Sequence, residues 1–176
     1  MRLDRNEAVL VIIDVQERLM PVIHERAEVE RNIERLVRGA HILGLPVILT
    51  EQYVKGLGLT VEPLRRAFEE TSGYRPIEKD CFSARECVSI DRPQVLIAGV
   101  EAHVCVYQTA RDLLDAGAHV WVAADAVSSR TPRNRDIALQ RLVSDGAKLS
   151  STEMALFELL ARAGTDEFRA ISKLVK

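Results

Sequence analysis

The chain has 176 residues, 47% apolar and 28% charged, the balance of an ordinary globular protein rather than a disordered one. A net charge of −2 leaves no basic face for nucleic acid or acidic lipid, so neither partner is expected. The charged start MRLDRNEAVL lacks a signal-peptide core, no apolar run approaches the roughly 20 residues of a membrane helix, and Cys81, Cys87 and Cys105 fit no zinc spacing. These features lead to the expectation of one cytoplasmic domain over residues 1–176, with reduced thiols and neither metal nor cofactor.

Residues 8–14 (AVLVIID) read as a strand that is apolar on both faces, as in a parallel sheet covered by helices. Residues 29–43 follow as a helix, with Ile33, Leu36, Val37 and Ala40 on one stripe and Gly44 and Pro46 as stop signals. Residues 46–50 (PVILT) form the second strand. The segment 53–58 (YVKGLG) matches neither a phosphate loop nor a dinucleotide fingerprint and reads as a rim over the strand ends. A short strand is expected at 75–78 and a long buried one at 94–100 (QVLIAGV). A helix at 104–116, a weaker strand at 119–124, a helix at 132–143 capped by Thr131, and a short strand at 147–150 complete the alternation. The stretch 152–175 reads as two short helices broken near Gly164, with apolar residues that either finish the core or meet a second subunit. Strand–helix alternation of this kind implies an α/β, Rossmann-like doubly wound parallel sheet of order 3-2-1-4-5-6, with helices on both faces.

Ligands of open parallel sheets bind at the carboxyl ends of strands, which directs attention to the residue just past each apolar run. Asp14 closes the first run, where burying a carboxylate is costly without a partner, although an aspartate there also suits a simple turn. Cys105 follows the third run at the start of a helix. The N–H groups and partial positive charge there favour a thiolate, whereas most free cysteines are small buried hydrophobes. Lys79, in PIEKDCFSA, lies two strand spacings from the first strand, roughly 10 Å, a gap its side chain and a loop span. An ammonium there keeps Asp14 ionised and favours the thiolate, making Cys105 the most reactive thiol expected. Cys81 and Cys87 read as packing thiols, His103 as a loop residue, and Arg130, Arg133 and Arg135 as a solvated cluster.

With these residues in place the chain resembles the isochorismatase-like cysteine hydrolases, from about residue 6 to 160. The resemblance is carried by Asp14 with Gln16, by Lys79 with Phe82-Ser83-Ala84, and by Gly99-Val100-Glu101-Ala102-His103-Val104-Cys105-Val106. Thr109-Ala110, Gly117 and the run from Asp125 to Arg130 extend it. The segment around Thr50-Glu51-Gln52-Tyr53 is similar to the branch of isochorismatase domain-containing proteins. The resemblance implies a catalytic triad of Asp14, Lys79 and Cys105 and a cis peptide between Val100 and Glu101. It also implies an oxyanion hole from the backbone N–H groups of Glu101 and Cys105, and substrate contacts from Gln16, Tyr53 and Phe82. The histidine metal motif of the nicotinamidase branch has no counterpart in EQYVKGLG. The reaction implied is hydrolysis of a small amide or related C–N substrate through a thioester, in a dimer or tetramer. The alternatives are isochorismatase-type vinyl ether hydrolysis, in which the thiol is dispensable, and a binding or regulatory protein on the same fold.

Overall fold

The structure, a computed structural model, describes residues 1–176. Six parallel strands form one sheet: β1 (Ala8–Ile13), β2 (Val47–Gln52), β3 (Ile77–Lys79), β4 (Gln94–Val100), β5 (His119–Ser128) and β6 (Lys148–Ser150). They stand in the order β3-β2-β1-β4-β5-β6, the doubly wound order read from the sequence. The helices are α1 (Arg26–Leu43), a single turn α2 (Val54–Leu57), α3 (Glu62–Glu69), α4 (Tyr107–Asp115), α5 (Pro132–Ser144), α6 (Thr152–Leu160) and α7 (Asp166–Val175).

The parity of the central strands explains why their sequences are apolar throughout. Leu10 and Ile12 of β1, with Leu96 and Ala98 of β4, enter the larger core against α1, α3, α6 and α7. Their neighbours Val9, Val11, Ile13, Val95 and Ile97 enter a second core against α4 and α5. Successive side chains point to opposite faces, so a strand covered on both sides needs an apolar residue at every position. Helix α1 buries Ile33, Leu36, Val37 and Ala40 and ends at Gly44, whose left-handed φ of 67° lets its N–H reach the Ala40 and His41 carbonyls.

Two features depart from the sequence reading, and a third decides between alternatives it left open. Strand β5 runs four residues past 124, through Asp125, whose Oδ1 accepts the Thr152 backbone N–H at 2.8 Å and the Thr152 hydroxyl at 3.0 Å. A polar residue that breaks an apolar run is thus paired with the first turn of α6. Helix α3 has no counterpart in the sequence reading, although Pro63 sits in its first turn and its buried residues Leu64, Ala67 and Phe68 fall at helical spacing. The apolar C-terminal stretch is mostly used within the chain. Leu156, Leu159 and Leu160 are buried, Phe157 meets Phe168 edge-on at 6.4 Å, and Met154 alone stays exposed. No helix is long and apolar enough to cross a membrane.

Candidate active site

The carboxyl ends of β1, β2, β3 and β4 lie side by side, and the residues just beyond them build one cluster. Asp14 follows β1 in the left-handed region, with φ of 54°, and Tyr53 follows β2 with φ of 38°. Non-glycine residues rarely adopt this conformation. At Asp14 it accompanies a wholly buried carboxylate: Oδ2 accepts Lys79 Nζ at 2.6 Å and Oδ1 accepts the Thr50 hydroxyl at 2.7 Å. Both side chains of the ion pair have 0% exposure. Lys79 also donates to Gln52 Oε1 at 2.6 Å and to the carbonyls of Phe82 at 3.1 Å and Cys81 at 3.2 Å. Its three protons are shared over four acceptors, which fixes the ammonium.

Cys105 arrives from the other side. Strand β4 ends in a cis peptide between Val100 and Glu101, followed by a turn of π-helix (Ala102–Val106) that leads into α4. The Cys105 sulfur lies 4.0 Å from Gln52 Oε1, and the Cys105 carbonyl accepts the Thr109 hydroxyl at 2.7 Å. Asp14, Gln52 and Cys105 line one pocket of about 300 Å³, walled by Leu19, Val22, Leu57, Phe82 and Val104, with Glu101 and Arg130 also in its lining. The structure therefore brings Asp14, Lys79 and Cys105 together across four strands.

The resting protonation of Cys105 differs from the sequence expectation. Burial pushes its thiol up to about 12, the Asp14 carboxylate adds to the shift, and Lys79 opposes it. A helix start and a nearby lysine do not make a thiolate where the sulfur is dry and faces an anion. Cys105 thus holds its proton at rest. The expected result is an iodoacetamide reaction of Cys105 that is slow at neutral pH and keeps rising through pH 9–11. A plateau near pH 8, followed by peptide mass spectrometry, would contradict this.

The other expected site residues fall in different places. Phe82 lines the pocket with 54% of its surface exposed, and Glu101 turns its carboxylate to the Arg130 backbone N–H at 3.0 Å and Nε at 3.1 Å. Tyr53 is 61% exposed and stands outside the pocket lining. Gln16 is buried and committed to backbone. Its Nε2 donates to the Gln52 carbonyl at 2.9 Å and the Gly58 carbonyl at 2.7 Å, and its Oε1 accepts the Gln52 N–H at 2.8 Å. It latches the 53–58 rim to β2 instead of facing the pocket. His103 meets Ser129 Oγ at 3.0 Å, and Arg135 holds the Ala124 and Val127 carbonyls at 2.5 and 3.2 Å. Gln52 and Arg130 are additions. Gln52 had one signal, its place at the end of an apolar strand, whereas the pairing of Arg130 with Glu101 had none.

No group of three or more His, Cys, Asp and Glu side chains gathers at metal-binding spacing.

Comparison with known proteins places the chain in a family. A family model described as the isochorismatase domain matches residues 8–154. Isochorismatase domain-containing protein 2 of Danio rerio is 40% identical over 99% of this chain and 89% of its own length. The secreted isochorismatase effector Isc1 of Phytophthora sojae is 39% identical over 99% of this chain and 87% of its own. The solved MAR1 ribonuclease of Caenorhabditis elegans superposes with a TM-score of 0.89 at 34% identity, over 99% of this chain and 92% of that one. With the domain match, the relatives and the sheet order in agreement, the chain belongs to the isochorismatase family.

Proposed function

We propose that the chain is a hydrolase of small amides or related C–N carbonyl substrates, with Cys105 as nucleophile and a thioester acyl-enzyme as intermediate. The observation that carries this reading is a wholly buried Lys79–Asp14 ion pair beside a buried cysteine in a pocket of small-molecule size. A buried ion pair is poor evidence of stability, because desolvation offsets most of its attraction. A chemical use is the better account.

In the proposed cycle Asp14 takes the Cys105 proton and the sulfur attacks the carbonyl carbon. The oxyanion rests on the backbone N–H groups of Glu101 and Cys105. The C–N bond then breaks, and protonated Asp14 returns the proton to the leaving nitrogen. Water next attacks the thioester, with Asp14 accepting its proton, and the thiol is regenerated. Lys79 keeps one positive charge beside Asp14 throughout, and the cycle requires no metal or cofactor.

The apolar walls from Leu19, Val22, Leu57, Phe82 and Val104 favour a substrate with a small apolar body. Arg130 is the only cation in the lining and is paired with Glu101, so the pocket itself offers no free positive charge to a phosphate. We therefore propose a small-molecule substrate rather than nucleic acid, although one structural relative is named a ribonuclease. Exposed Ile137, Val143 and Leu149, beside the edge strand β6, support a homo-oligomer, a dimer or tetramer. The three unpaired thiols support a cytoplasmic location, in contrast to the Phytophthora relative, which is secreted by name.

A panel of small primary amides with rapid acid quench and intact-mass detection tests the proposal. The expected result is an adduct of the acyl mass on Cys105, formed while ammonia is released. Ammonia release with full activity in a Cys105→Ala variant would overturn it.

A further inference from the structure

The sequence reading assigned Cys81 and Cys87 to packing, but the structure sets their sulfurs 3.2 Å apart in the loop between β3 and β4. Both are half-buried, within reach of a small reagent, whereas Cys105 is buried. The Cys81 thiol points toward the Ser83 carbonyl at 3.0 Å, which makes Cys87 the donor in the contact between the two sulfurs. Cys87 is held in place by a turn in which its N–H and that of Val88 reach the Ala84 carbonyl, each at 3.1 Å. A disulfide requires a separation of about 2.0 Å, so the sulfurs are already in approach and only the loop has to contract.

The residues enclosed by this pair also serve the pocket. Phe82 lines it, and the carbonyls of Cys81 and Phe82 receive Lys79 Nζ. The Ala84 N–H donates to Thr109 Oγ1 at 2.9 Å, and that hydroxyl donates to the carbonyl of Cys105. A contraction between Cys81 and Cys87 therefore pulls on the carbonyl cradle of the lysine and on the turn that carries the buried cysteine.

We propose that Cys81 and Cys87 are an oxidisable dithiol, converted by a hydroperoxide into an intrachain disulfide that loosens the seat of Lys79. The step balances. The Cys81 thiolate attacks the hydroperoxide, the O–O bond breaks, and alcohol (or water) leaves a sulfenic acid on Cys81. The Cys87 sulfur then attacks Cys81, the S–O bond breaks, and hydroxide departs as water with the Cys87 proton. Two thiols lose two electrons in total and the peroxide gains them. The hydrogen bond from Cys87 to Cys81 raises the Cys87 pKa, in accord with Cys81 reacting first and Cys87 resolving. The disulfide itself does not depend on the amide-hydrolase reading.

The test exposes the reduced full chain to a small excess of hydrogen peroxide, blocks free thiols after unfolding, and digests with trypsin and Asp-N. That cleavage separates residues 80–85, 86–90 and 91–111, so each cysteine lies on its own peptide. The expected product is 80–85 linked to 86–90 and released by dithiothreitol, with Cys105 recovered as a free thiol on 91–111. In Cys87→Ser, Cys81 should stop at the sulfenic acid and be trapped by dimedone. Oxidation of Cys105 ahead of the pair, or over-oxidation of Cys81 in the wild type without the linked peptide, would overturn the disulfide. The link to the site is read by Cys105 alkylation at pH 10, which needs no known substrate. It should slow roughly threefold or more on oxidation, as the thiol loses the help of Lys79, and recover on reduction. An unchanged rate in protein shown to carry the disulfide would overturn the coupling to Lys79.

Discussion

Replacing Cys105 with alanine is expected to lower kcat/KM on an accepted amide by about 10⁴-fold or more, and Asp14→Asn should come close, because the thiol then has no proton acceptor. The geometry sharpens what should happen at Lys79. Its ammonium touches Asp14 Oδ2 at 2.6 Å, so Lys79→Ala leaves a buried carboxylate without its cation. Orphaning such a charge costs on the order of 3–5 kcal/mol, and the variant should lose thermal stability as well as activity. Asp14→Asn in the same protein removes the orphaned charge. The double variant should therefore be more stable than Lys79→Ala alone, and scarcely less active than Asp14→Asn alone. Residues that serve one proton transfer do not contribute independently. Multiplicative activity losses, or a double variant less stable than either single one, would mean that the pair does not act as a unit. Melting curves beside kcat/KM for the four proteins decide the matter.

The second large effect is expected at a residue with no side chain of its own to react. Gly99 pairs with Ile13 of β1 and adopts φ of +120° where the register of β4 against β5 shifts. A Cβ at that position would stand 2.1 Å from the Ile13 carbonyl oxygen and 2.6 Å from its nitrogen. Both are backbone atoms of a central strand and have no free space to move into. Gly99→Ala should cost about 4 kcal/mol or more and lower Tm by roughly 10 °C or more. Gly44 is the control. Its φ is also positive, at +67°, but nothing lies within 4 Å of an added Cβ, so Gly44→Ala should cost only about 1 kcal/mol. Equal losses in the two variants would show that the close approach of β1 and β4 has been misjudged.

The sheet could be read in the sequence because β1 is apolar at every position and β4 at every position after Gln94, a pattern that two covered faces impose. The meeting of Asp14 and Lys79 was likewise accessible, since strand order converts a separation of 65 residues into two strand spacings. The pocket was harder to foresee. Leu19, Val22 and Leu57 come from single helical turns or their flanks, too short to show periodicity, and Arg130 acquires its role only through Glu101, which lies 29 residues away. Gln16 shows the limit of a motif: its position beside Asp14 points to the substrate, but its amide is spent on the backbone of Gln52 and Gly58. The Cys105 proton shows another limit. Helix starts and nearby lysines can be read in a sequence, whereas the dryness of a sulfur depends on every wall that surrounds it.

The side-by-side supply of site residues from separate strands has a consequence for how the protein becomes active. Asp14, Gln52, Lys79 and Cys105 each follow or end a different strand, and no two of them come from the same local unit of chain. Parallel strands pair only after their crossovers have been laid down, which makes such contacts slow to form and non-local. Helices and isolated βα units of this chain can exist before any two of the four groups meet. The meeting of these four groups is thus a property of the finished sheet, and a partly folded chain carries the cysteine without the ion pair beside it.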